Sequence, residues 1–173
     1  MIQRIWVLFL FLGCVAGHAQ KAFPVQSKHS STKEVVDIMV TQKDGTMKPL
    51  SDILTPDKNY IVSIMASWCS PCRTELNAFQ KVAEEWAKDL NTEIIAISVE
   101  KPSDTHKLFA LADKQKWTMQ VVHDKMAYTS RELEVFGIPQ TFLVNQKGDI
   151  TYTTEGYSAQ LIANYKKEIK KLF

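Results

Sequence analysis

The reactive pair of this chain is Cys69 and Cys72, separated by two residues in Trp68-Cys69-Ser70-Pro71-Cys72. They follow a short apolar run, Tyr60 to Ala66, and precede an amphipathic pattern, so they fall where a buried strand feeds a helix. Backbone N–H groups in a first helical turn lack partners, and the helix dipole is positive there. A thiolate on Cys69 is stabilised at that point, lowering its pKa from about 8.5 toward 7 or below and arming it to attack disulfides. Pro71 suits the first turn because the N–H it lacks has no partner there, and it stiffens the loop joining the sulfurs. Cys72, one turn deeper, can then resolve the mixed disulfide. Zinc binding and an inert bridge are the other uses of such a pair. Zinc takes four ligands, and His29, His106 and His123 show no ligand spacing. A bridge closing so short a loop constrains the unfolded chain little. Thiol–disulfide exchange is the preferred reading.

Val35 to Thr41 is β-branched and leads into Asp44-Gly45, which favours a tight hairpin to a second strand at 46–50. Tyr60 to Ala66 is the central strand. From Arg73 to Leu90, Leu76, Phe79, Val82, Ala83, Trp86 and Leu90 step by three and four, predicting one amphipathic helix of about five turns. A strand follows at Glu93 to Val99, then a helix capped by Ser103 or Asp104 and carrying Leu108, Leu111 and Ala112. Met119 to Val122 reads as a short strand, 126–134 as a short helix. Phe142 to Val144, the Lys147-Gly148 turn and Ile150 to Thr153 form a hairpin, and Ser158 caps a last helix bearing Leu161, Ile162, Tyr165 and Ile169. The βαβ unit over 60–99 predicts an α/β sandwich with a mixed sheet.

Composition narrows the function classes. The chain has 173 residues, 45% hydrophobic and 23% charged, which fits one compact domain. A formal charge of +2 with scattered lysines gives no footprint for nucleic acid. Arg4, the apolar run Ile5 to Leu12, and small residues Gly17 and Ala19 before Gln20 read as a secretory signal peptide over 1–19. Phe11-Leu12-Gly13-Cys14 is an imperfect lipobox, so a lipoprotein anchored through Cys14 is the alternative. Residues 20–33 are polar and aperiodic, a flexible lead-in, and the domain is expected over 34–173. Removing the leader leaves Cys69 and Cys72 as the only thiols.

Ala66-Ser67-Trp68-Cys69-Ser70-Pro71-Cys72-Arg73-Thr74-Glu75 resembles the active-site segment of the thioredoxin superfamily, and Arg-x-Glu after the second Cys resembles its exported TlpA/ResA branch. Val36-Asp37-Ile38 through Leu50-Ser51-Asp52 is similar to that branch's N-terminal hairpin, and Gly137-Ile138-Pro139-Gln140-Thr141-Phe142-Leu143-Val144 to its cis-proline segment. The resemblance implies a thioredoxin-like three-layer sandwich with a mixed central sheet and an added N-terminal β-hairpin. It implies a cis Ile138–Pro139 bond facing Cys69, with Trp68, Ser70, Pro71, Ile138 and Pro139 forming a groove where the Ile138 backbone pairs with an extended substrate.

The resemblance further implies that Glu75, one helical turn after Cys72, takes up and returns the thiol proton; a solvated first-turn glutamate is the plainer reading. Thioredoxins proper have a buried Asp six residues before the first Cys, where this chain has Ser63, and Asn77 stands where their helices kink at proline. Arg73 either favours the thiolate or is solvated, and Trp86 and Trp117 read as core or helix-end aromatics. The implied protein is an exported, periplasmic, monomeric reductant of client disulfides, including those of cytochrome c precursors. It has no cofactor beyond its redox-active disulfide and is fed by a membrane-bound thiol donor. An oxidant or isomerase of the same fold, a thiol peroxidase and a copper(I) chaperone using His123 are the rivals.

Overall fold

The computed structural model describes residues 38–173. The expected leader, the lead-in, the domain start at Glu34, Cys14 and His29 lie outside the described residues. Twelve principal elements follow in order: β1 (Met39–Thr41), β2 (Met47–Pro49), β3 (Asn59–Met65), α1 (Ser70–Gln80), α2 (Ala83–Asp89), β4 (Thr92–Ser98), α3 (Thr105–Gln115), β5 (Gln120–His123), α4 (Tyr128–Glu132), β6 (Gln140–Val144), β7 (Ile150–Glu155) and α5 (Leu161–Ile169). Seven strands form one sheet in the order β2-β1-β5-β4-β3-β6-β7. The β3–β4 and β4–β5 pairs are parallel; the others are antiparallel, so the sheet is mixed. The Asp44-Gly45 hairpin extends one edge, with Gly45 at φ +85°, a conformation that favours a residue lacking Cβ.

Every residue of β3 is buried, in keeping with an apolar run interrupted by Ser63, and alternate side chains serve opposite faces. Ile61 and Met65 pack with Leu76 and Phe79 of α1, Trp86 of α2, Leu108 of α3, and Leu161 and Tyr165 of α5. Tyr60, Val62 and Ile64 pack on the other face with Val40, Leu50, Ile95, Ile97 and Phe142, flanked by Ile53, Leu133 and Val135. The layers are thus helices on one side, the sheet, and a thinner cover of the 50–54 turn and the α4 region.

Three local expectations are corrected. The single helix expected over 73–90 begins earlier, at Ser70, and divides into α1 and α2, because Lys81 and Val82 N–H bond to Ala78 and Phe79 carbonyls in a tightened turn. No Gly or Pro marks the break. Phe79 and Trp86 still meet edge to face, centroids 6.1 Å apart, across it. Neither Ser103 nor Asp104 caps α3 through its side chain: a 3₁₀ turn over Pro102–Asp104 precedes the helix, and Asp104 pairs instead with Lys107 at 2.7 Å. Ser158 is not the cap of α5, which has Gln160 at that position; only the Ser158 carbonyl takes part, accepting from Leu161 N–H at 3.1 Å.

Candidate active site

The first turn of α1 carries the cysteine pair. Cys69 is the N-cap, extended at φ −79° and ψ 105°, and its sulfur accepts from the Cys72 N–H at 3.2 Å, satisfying one donor that the helix start leaves free. Cys69 and Cys72 are joined in a disulfide with Cα atoms 5.3 Å apart. Cys69 is 5% exposed and Cys72 is fully buried, so the outer sulfur is the one within reach of another molecule. Ser70 and Pro71 are exposed, and Trp68 is 70% exposed, which places it on the rim rather than in the core.

The segment opposite enters β6. Its Ile138–Pro139 bond is cis, Pro139 is buried, and the Ile138 carbonyl oxygen lies 3.8 Å from Cys69 Sγ. The Pro139 carbonyl accepts from Gly156 N–H at 2.8 Å, tying this segment to the end of β7. The structure therefore brings Cys69, Ile138 and Pro139 together from positions about seventy residues apart.

Glu75 is fully buried rather than solvated. Its Oε1 accepts from Ser63 Oγ at 2.8 Å and Thr141 Oγ1 at 2.5 Å. Burial pushes its pKa above the usual carboxylate range, against the pull of the Thr141 and Ser63 hydrogen bonds. Ser63 and Thr141 face each other across the β3–β6 pair. Tyr165 OH donates to the Thr141 carbonyl at 2.6 Å, and burial raises its own pKa as well.

Arg73 is half-buried and donates to the Ser67 carbonyl at 2.7 Å, steadying the loop before Cys69. Buried Glu100 accepts from the Ser67 N–H, so both main-chain polar groups of Ser67 are held by side chains. Asn77 accepts from Trp117 Nε1 at 2.7 Å, binding α1 to the turn after α3. That turn reverses through Lys116 at φ 56°. Both ring nitrogens of His123 are engaged, with Thr105 Oγ1 at 2.8 Å and the Glu100 carbonyl at 3.0 Å, so neither is free to ligate copper. Among the described residues no group of three His, Cys, Asp or Glu side chains is disposed to hold a metal ion.

Sequence reasoning singled out neither Thr141 nor Glu100, and noted Ser63 only as a missing Asp. An uncharged hydroxyl within a buried strand is the signal that was available for Ser63. For Thr141 and Glu100 the partners lie too far along the chain for spacing to reveal them.

A buried-strand-to-helix junction bearing a CxxC disulfide, faced by a cis-proline segment on a mixed sheet, defines a thioredoxin-fold dithiol protein. The chain belongs to the AhpC/TSA family, which matches over residues 32–153. It is 32% identical over 117 residues to the thiol:disulfide interchange protein CycY of Rhizobium leguminosarum bv. viciae, covering 68% of this chain and 60% of that protein. It is 28% identical over 108 residues to sporulation thiol-disulfide oxidoreductase A of Bacillus subtilis, covering 61% of this chain and 65% of that one. The match therefore spans less than two thirds of either relative. The solution structure of a thioredoxin-like protein from Porphyromonas gingivalis superposes with a TM-score of 0.71 at 27% identity, covering 82% of this chain and 93% of that one.

Proposed function

We propose that this protein is an exported thiol–disulfide oxidoreductase that reduces disulfides of client proteins. The observation that carries this reading is the Cys69–Cys72 disulfide at the N-terminus of α1, its outer sulfur beside the Ile138 carbonyl and its inner sulfur buried. Relatives named for thiol:disulfide interchange support it. In the reduced protein the Cys69 thiolate attacks a client disulfide, forms a mixed disulfide and releases one client thiolate. Cys72 then loses its proton to the Glu75 carboxylate, attacks Cys69 Sγ and displaces the second client thiolate. The protein is left as the disulfide, two electrons having passed to the client, whose thiolates take up protons. Trp68, Ser70 and Pro71 on one side and Ile138 and Pro139 on the other form the client groove; Pro139, lacking an N–H, leaves the Ile138 carbonyl as the acceptor beside the sulfur.

A reductant outside the cytoplasm requires resupply, so we assign it a membrane-bound thiol donor. Its clients include cytochrome c precursors awaiting haem. No described helix is long and apolar enough to cross a membrane. The direction of flow is tested by the reduction potential of the Cys69–Cys72 couple, read by thiol trapping across graded redox buffers. A value near or below about −270 mV is expected, and one near about −120 mV would make the protein an oxidant.

A further inference from the structure

The two oxygens of the Glu75 carboxyl have different surroundings. Oε1 receives both the Ser63 and the Thr141 hydroxyl. Oε2 is equally buried and has no hydrogen-bond partner among the described residues. The donors stand at one register position of adjacent strands, and Tyr165 fixes the Thr141 main chain from α5. A carboxyl oxygen offers two lone pairs, and two donors occupy those of Oε1. A neutral acid carries its hydrogen on one oxygen and accepts on the other, so two donors at Oε1 exclude the hydrogen from it.

We propose that Ser63 and Thr141 are positioning residues: by both donating to Oε1 they make it the carbonyl oxygen of the neutral acid and reserve Oε2 as the atom that takes up and returns the Cys72 proton. This rests on the relay role given to Glu75 above. The step is a proton transfer alone, in which the S–H bond of Cys72 breaks as an O–H bond forms at Oε2. Re-reduction of the disulfide reverses it, and the sulfur electron pair freed on Cys72 regains the hydrogen.

Few titratable groups bear on this carboxyl. Cys72 shares its helix, and Tyr165 on α5 stays neutral because burial raises its pKa. No Lys, Arg or His pairs with Glu75 among the described residues. The two hydroxyls are thus the groups that adjust its proton affinity from within the fold.

The test compares Ser63→Ala, Thr141→Val, the double variant, Thr141→Ser and Glu75→Gln. Two quantities are read: the pH dependence of the Cys69–Cys72 potential, and the carbonyl stretch of protonated Glu75 by isotope-edited infrared spectroscopy of the oxidised protein. Each lost donor is expected to raise the proton affinity of Glu75 by about tenfold and to move the carbonyl band to higher frequency. Thr141→Ser, which keeps the hydroxyl, restores both readouts, which a loss of packing alone would not do. An unmoved band and an unchanged pH profile in Ser63→Ala and Thr141→Val, with Glu75→Gln altering the profile, overturn the positioning roles and leave the relay standing. An unchanged profile in Glu75→Gln overturns the relay and the positioning roles together.

Discussion

Replacing Glu75 by Gln separates the burial of a carboxyl from the burial of its charge. Glu75 is fully enclosed between α1 and the sheet, and burial raises its pKa against the opposing hydrogen bonds from Thr141 and Ser63. Gln keeps an acceptor for both hydroxyls and puts a neutral donor where Oε2 lies, so it imitates the protonated acid. With its folded pKa above the unfolded one, Glu75 binds its proton more tightly in the native state. Below the unfolded pKa, about 4.3, both states are protonated and the charge costs nothing. As the pH rises from the unfolded to the folded pKa, the wild type loses up to about 1.4 kcal/mol of stability per pH unit from this one group, and the loss levels off above the folded pKa. The other titrating groups are common to both proteins and cancel in the difference. Urea unfolding of the oxidised proteins, followed by tryptophan fluorescence, gives that difference as a shift in midpoint at constant m-value. The Gln variant should match the wild type near about pH 4 and exceed it by about pH 8. Parallel stability curves across this range, or a Gln variant less stable at the upper end, would refute the claim that Glu75 is a buried, proton-holding group.

Cys69→Ser should abolish disulfide exchange with client or model disulfides, and full turnover by that variant would end the proposed order of attack. Cys72→Ser should retain attack and accumulate mixed disulfides, visible on non-reducing gels; their absence would mean that Cys72 is not the resolving thiol. Phe79→Ala removes a fully buried ring set edge to face with Trp86 at 6.1 Å and Tyr165 at 5.7 Å. It should cost about 3–5 kcal/mol in urea unfolding, and a loss under about 1 kcal/mol would contradict the packing of α1 on the sheet.

Much of the scaffold was legible because it is governed by neighbours in the chain. The nearly continuous apolar run of β3, the Asp44-Gly45 turn and the Lys147-Gly148 hairpin each lie within a residue or two of the positions that local pattern predicts. The division of α1 from α2 was not legible: Lys81 and Val82 are ordinary helix residues by type, and the apolar spacing runs on unbroken from Phe79 to Trp86. The caps at Ser103, Asp104 and Ser158 failed for a related reason. Each is a good capping residue, but a 3₁₀ turn, a lysine partner or a shifted helix start took the group elsewhere.

Residue order alone was enough to place two thiols spaced by Ser-Pro at a strand-to-helix junction, the N-terminal end of a helix dipole. Those features extend over a few residues, so spacing alone reports them. What surrounds the pair comes from distant parts of the chain. Ser63 lies 12 residues from Glu75 and Thr141 lies 66, yet both hydroxyls end on one carboxyl oxygen. Ile138, 69 residues from Cys69, brings its carbonyl beside the sulfur. Proximity of that kind follows from burying both faces of a sheet at once, a condition on the whole chain that no local pattern contains.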